Sequence, residues 1–180
     1  EISITRPTPG IKKFTSPGGS HTFTMPNGIS YVKFYVTGSG ARGGGRTGNA
    51  GSTAIGYLSA KPGTVFPVAV AAVPSTIGHS SIIYDPDGTT GAIVTAPGGL
   101  RGSSAAYSPT VATSDYLPTE TIRLVGGVGN VDTNDDGDEE GNGGSSYYGN
   151  APAWGGGQGG HGGSAAGPVP STGIIVFEWN

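Results

Sequence analysis

The residues with the most chemical promise run Asp132-Thr133-Asn134-Asp135-Asp136-Gly137-Asp138-Glu139-Glu140. Their spacing fits D-x-[DN]-x-[DN]-G, the first half of a calcium loop. In such a loop alternate oxygens wrap one hard cation and the glycine permits a sharp turn. Asp132, Asn134, Asp136 and Asp138 are therefore candidate Ca2+ ligands. The twelfth place, where a bidentate Glu would close the loop, is Gly143, so any site is expected to be weak. The competing reading is a solvated acidic loop held open by its own repulsion.

Other spacings fail on context. Gly38-Ser39-Gly40-Ala41-Arg42-Gly43 matches G-x-G-x-x-G after a strand-like run. A dinucleotide site also needs a helix next and an acid about 20 positions on. Here Gly44-Gly45-Arg46-Thr47-Gly48 follows, and no acid comes before Asp85. His21, His79 and His161 read as structural or surface residues, without the helical or hairpin spacing of zinc ligands. There is no G-x-S-x-G elbow and no convincing pair of carboxyls for glycoside cleavage. The expectation is a protein that binds and does not catalyse.

The aromatic residues fit binding. Tyr107, Tyr116, Tyr147, Tyr148 and Trp154 fall in two long stretches, 103–120 and 130–154, rich in Ser, Gly and Asn. Tyrosine and tryptophan in such loops give large contact area with a polar tip, which suits sugars and protein loops alike. All five are candidate contacts for a binding partner. The plainer reading is that some fold down to cap the edges of a sheet.

These loops need a scaffold. Glycine makes up 36 of 180 residues, against an ordinary share of about 7%. Net charge is −3, which argues against nucleic acid or an anionic membrane as partner. Cysteine is absent, and no apolar run reaches the ~18 residues of a membrane-spanning helix. Residues 1–20, with Pro7, Pro9, Pro17 and several glycines, read as an arm joining residues 21–180 to a preceding part. Residues 21–25 and 31–37 flank Pro26-Asn27-Gly28, a hairpin signal. In 31–37, Val32, Phe34 and Val36 face one way and Tyr31, Lys33 and Tyr35 the other. Residues 53–58 alternate, and so do 65–73, where Pro67 suggests a sheet edge. Residues 80–84 and 92–96 read as a hairpin, 121–125 as a short strand, and 173–179 as a central strand apolar on both faces. No stretch has a helical period with caps. The expected fold is all-β, an antiparallel sandwich-like domain with glycine-rich extended helices and long loops.

Residues 155–163 read Gly-Gly-X repeatedly from Gly156. A three-residue period marks an extended left-handed helix without internal hydrogen bonds. Its amides need neighbours, and the tracts at 38–51, 97–102 and 126–129 are the candidates. The four are expected to pack side by side beneath the two long loops.

Order and spacing of several pieces carry a resemblance. His21-Thr22-Phe23-Thr24-Met25-Pro26-Asn27-Gly28, then Val32-Lys33-Phe34-Tyr35-Val36-Thr37-Gly38, resembles the opening of the glycine-rich domain of phage tail fibres. Lys61-Pro62-Gly63, Phe66-Pro67-Val68-Ala69-Val70, Ala96-Pro97-Gly98-Gly99 and the ending Gly173-Ile174-Ile175-Val176-Phe177-Glu178-Trp179 continue it, over roughly residues 14–180. It implies a β-rich tip with packed glycine helices, located on the virion at the end of a tail fibre. It further implies that this tip binds a bacterial surface receptor (a glycan, an outer-membrane protein or a pilus), with the remainder of the fibre as partner and a homotrimer as assembly. Ala71-Ala72 departs from the family pattern, and the acidic stretch at 132–140 is not part of it. The alternatives are a structural trimerisation cap and a capsule-degrading enzyme.

Overall fold

Runs of period two become strands because alternate side chains then share one buried face. A computed structural model describes residues 8–41, 48–72, 77–100, 107–128, 146–147 and 171–180. Its strands are β1 (Gly10–Phe14), β2 (Gly18–Thr24), β3 (Tyr31–Thr37), β4 (Thr53–Ser59), β5 (Val65–Val70), β6 (Ser81–Tyr84), β7 (Ala92–Ala96), β8 (Thr110–Val111), β9 (Ile122–Leu124) and β10 (Ile174–Trp179). They form two five-stranded antiparallel sheets, β1-β10-β3-β4-β9 and β2-β5-β6-β7-β8. No helix occurs among the described residues. The fold is all-β, as expected from the sequence.

The sheets pack face to face. Val32, Phe34 and Val36 of β3 and Phe177 of β10 meet Phe23 of β2 and Phe66 and Val68 of β5 in one core. The Phe23 and Phe177 rings stack at 3.9 Å between sheets, and Phe14 meets Phe177 edge-on at 6.1 Å. β10 is paired on both sides, and Ile174, Ile175, Val176 and Phe177 are all buried.

Three expectations change. The Asn27-Gly28 turn does not make a hairpin, because β2 and β3 lie in different sheets. Residues 25–30 instead cross the roughly 10 Å between them. Gly28 takes φ 75°, and Met25 and Ile29 are buried on either side of the turn. Residues 10–20, expected as an extended and turning arm, also carry strand. β1 and the start of β2 lie within 10–20, and the buried Phe14 ties that segment into the core. Finally, Pro67 is not on an edge strand: β5 has β2 on one side and β6 on the other. The ladder to β6 covers only Val68 and Ala69, so the missing Pro67 N–H interrupts nothing there.

At one end of the sandwich the chain stops forming sheet and forms a bundle. β3, β7 and β9 run into it, and β4, β6 and β10 start from it. Gly38, Ser39 and Gly40 donate in turn to Ser52, His79 and Ser171, at 3.1, 3.0 and 3.2 Å. Ala41 then returns to the first neighbour, donating to Asn49 at 3.0 Å. Likewise Asn49 and Ser52, three apart, both donate to the 97–100 segment (Leu100 at 2.8 Å, Pro97 at 3.0 Å), while Ala50 donates to Gly127 at 3.0 Å. A chain with about three residues per turn points successive amides at different neighbours in this way. The described parts of the tracts at 38–51, 97–102 and 126–129 are thus packed side by side. The tract at 155–163 lies outside the described residues.

Contact is too close for side chains. A Cβ on Gly51 would meet the Gly38 carbonyl, one on Gly99 the Asn49 carbonyl, and one on Gly126 the Ala50 carbonyl. Residues 38–41 and 48–52 are all buried.

Candidate functional site

The outer face of the first sheet is where the structure gathers charged and aromatic side chains. Inward burial of Val32, Phe34 and Val36 turns Tyr31, Lys33 and Tyr35 outward. Register places Lys33 opposite Tyr57 of β4 and Glu178 of β10, with Ile11 of β1 beyond Glu178. One row across the sheet therefore reads Ile11, Glu178, Lys33, Tyr57. The next row reads Lys13, Val176, Tyr35, Ile55 and Ile122.

The two rows differ in burial. Tyr35, Ile55, Ile174 and Val176 form a small second hydrophobic cluster, with Leu124 against it. Toward the end away from the bundle the face opens into a groove of about 570 Å³. Pro9, Gly10, Ile11, Tyr31, Lys33, Tyr57, Glu178, Trp179 and Asn180 line it. Tyr31 is 52% and Tyr57 44% exposed.

Fixed contacts shape the groove floor. The Tyr35 hydroxyl donates to Glu178 Oε2 at 3.1 Å. The Lys33 ammonium lies 4.8 Å from the centre of the Tyr35 ring, a cation–π arrangement. The Tyr35 side chain is the main reason the Lys33 pKa is raised, with the Glu178 charge adding to it. A cation, a carboxylate and two exposed rings are thus held on strands, where backbone pairing fixes their spacing.

The sequence-derived candidates are spread apart. Tyr147 is 55% exposed, and its ring stacks on Tyr35 at 6.1 Å and 22°. It therefore joins the outer face of the first sheet. Tyr107 is 62% exposed and precedes β8 of the second sheet. Tyr116 folds down instead: its ring meets Phe66 edge-on at 5.4 Å, and its hydroxyl donates to Asp87 Oδ2 at 2.6 Å. That hydrogen bond, with burial behind it, pushes its pKa up to about 12. Tyr116 clamps the 112–121 segment to the β6–β7 turn. Tyr148, Trp154 and the candidate Ca2+ ligands Asp132, Asn134, Asp136 and Asp138 lie outside the described residues.

Sequence reasoning did not single out Tyr31, Tyr57 or Glu178. Outward alternation marks Tyr31 and Lys33 as a pair, but which strands flank them decides the site. That pairing joins residues over a hundred positions apart. Comparison of the chain with protein-family models and with curated proteins finds no match.

Proposed function

We propose that this chain is the distal tip of a phage tail fibre, attaching the virion to a receptor on the bacterial surface by contact and without bond cleavage. The observation that carries this reading is the bundle. Residues 129–170 hold Tyr147, Tyr148, Trp154 and the acidic stretch, and both flanks of this segment are tied down. Gly127 accepts from Ala50 at 3.0 Å and Ser171 from Gly40 at 3.2 Å. A recognition loop gains affinity when its base is fixed beforehand. The motif order shared with glycine-rich tail-fibre domains favours the same reading. The rest of the fibre and two further copies of the chain are the proposed partners.

Purified chain added before phage is expected to block adsorption to host cells. Replacing Tyr147, Tyr148 and Trp154 together by Ala should weaken that block by about tenfold or more, with the melting transition kept. Undiminished blocking by the triple variant would remove these residues from the contact. New reducing ends released from host capsule by the chain would replace attachment with depolymerisation. A trimer that never competes for cells would make the domain a structural cap.

A further inference from the structure

The groove on the outer face of the first sheet is lined by residues in or next to strands, and Tyr147 of the segment assigned to receptor contact stacks on Tyr35 beside it. The groove residues sit on β1, β3, β4 and β10, with Pro9 and Asn180 just beyond β1 and β10, at the end opposite the bundle. Its volume of about 570 Å³ falls within the range of roughly 300–1,000 Å³ typical of small-ligand sites.

Its chemistry is mixed in a particular way. Tyr31 and Tyr57 are about half exposed although they stand on paired strands, so their rings are held out in water by a rigid frame. Lys33 and Glu178 lie directly opposite each other across the β3–β10 ladder. Tyr35 fixes both, through its hydroxyl to Glu178 and its ring to Lys33. Donor and acceptor are therefore side by side, preorganised, and of cancelling charge. The outer positions of the second sheet give the contrast: Thr22, Thr24, Pro67, Ala69, Ile82 and Thr95 offer no ionic group.

We infer that this groove binds a neutral saccharide, with a pyranose ring stacked on Tyr57 or Tyr31 and two adjacent hydroxyls shared between Lys33 Nζ and the Glu178 carboxylate. A pyranose presents an apolar C–H face and a polar edge, which match an aromatic plate and a donor–acceptor pair. An anionic ligand would meet Glu178. A purely apolar ligand would desolvate both charges and offer them no hydrogen bond in return. The site goes beyond the tail-fibre reading, since its ligand is set by strand residues whatever the loops bind.

The test uses the purified chain and a panel of maltotriose, cellotriose, mannotriose and chitotriose, followed by amide chemical shifts in NMR titration. At least one is expected to shift β3, β4 and β10 amides at millimolar concentration. Tyr57→Ala and Lys33→Met should each weaken that binding by about tenfold, and Val65→Ala, at an exposed position of β5 in the second sheet, should leave it unchanged. Melting curves close to the parent would show that the variants are folded. No shift on these strands with any of the four sugars overturns the assignment. So does binding that survives both groove variants, or a dimer of the parent chain that Tyr57→Ala dissolves, since the groove would then serve a second copy. Loss of adsorption blocking without loss of sugar binding would count only against the tail-fibre reading.

Discussion

In the sandwich, Phe34, Phe66 and Phe177 are completely buried in one core drawn from both sheets; in the bundle, residues 38–41 and 48–52 are buried as well, yet their only apolar side chains are Ala41 and Ala50. One region is held by side-chain packing, worth about 25 cal/mol per Å² of apolar area removed from water. The other is held by main-chain hydrogen bonds between chains too close for a Cβ. The lesson concerns tolerance. A side-chain core can be repacked, because volume can be redistributed among neighbours. A main-chain core has nothing to redistribute, because what would have to move is the backbone itself.

The sharpest way to break that comparison is Gly99→Val, whose Cβ would meet the Asn49 carbonyl. An expected loss of about 3 kcal/mol or more should appear in urea denaturation. Gly63 serves as control: its φ is 85° and nothing lies near an added Cβ. Gly63→Ala should cost only the left-handed strain of about 1–2 kcal/mol. Equal losses for the two would mean that the bundle yields like any loop. Next in size is Phe66→Leu in the sandwich, expected to cost about 1.5 kcal/mol or less because neighbours can close in. A loss as large as that of Gly99→Val would erase the distinction.

The smallest effect concerns a third kind of holding, by one charge. Asp85 closes the β6–β7 turn, accepting from the N–H groups of Asp87 and Thr90 and from the Thr89 hydroxyl. The Asp87 N–H foremost lowers its pKa to about 2, from an ordinary 3.8. A carboxyl with a depressed folded-state pKa stabilises above its unfolded value and loses that contribution as pH falls. The loss should run from about pH 4 to about pH 2, read as melting temperature against pH. Asp85→Asn should flatten that part of the curve; an unchanged slope would show that the turn does not depend on the charge.

Much of the sandwich was legible because its forces act at short range along the chain. Val32, Phe34 and Val36 alternate in sequence and are buried together; Phe66, Val68 and Val70 do the same. The 81–84 and 92–96 hairpin has its turn residues in between. Pairing between distant segments was not legible. Pro26-Asn27-Gly28 carries a local turn signal, and the turn forms, but nothing local says that β3 prefers β10 and β4 to β2. The strand β1 was missed because Ile11-Lys12-Lys13-Phe14 lacks alternation, and only Phe14 is buried. The bundle stands between these cases. Its period and the tracts at 38–51, 97–102 and 126–129 were visible in the glycines, while the part taken by His79 and Ser171 became visible only through the hydrogen bonds. For the candidate site the same division holds: loop tyrosines could be named from composition, while the Lys33–Glu178 pairing depends on a contact across most of the chain.

The antiparallel pairing of β1 with β10 also has a mechanical meaning. Residues 8–9 lead into β1 at the end of the sandwich away from the bundle, and Phe14 reaches toward the bundle end opposite Ile175. Tension applied at the bundle and resisted at Pro9 therefore runs along β1, parallel to its axis. The five register pairs from Gly10 with Trp179 to Phe14 with Ile175 then carry load together, in shear. Pulled instead between residue 9 and residue 180, the same ladder would open like a zipper, one pair at a time. By this register β1 opposes load along the length of the ladder and opens to load across it.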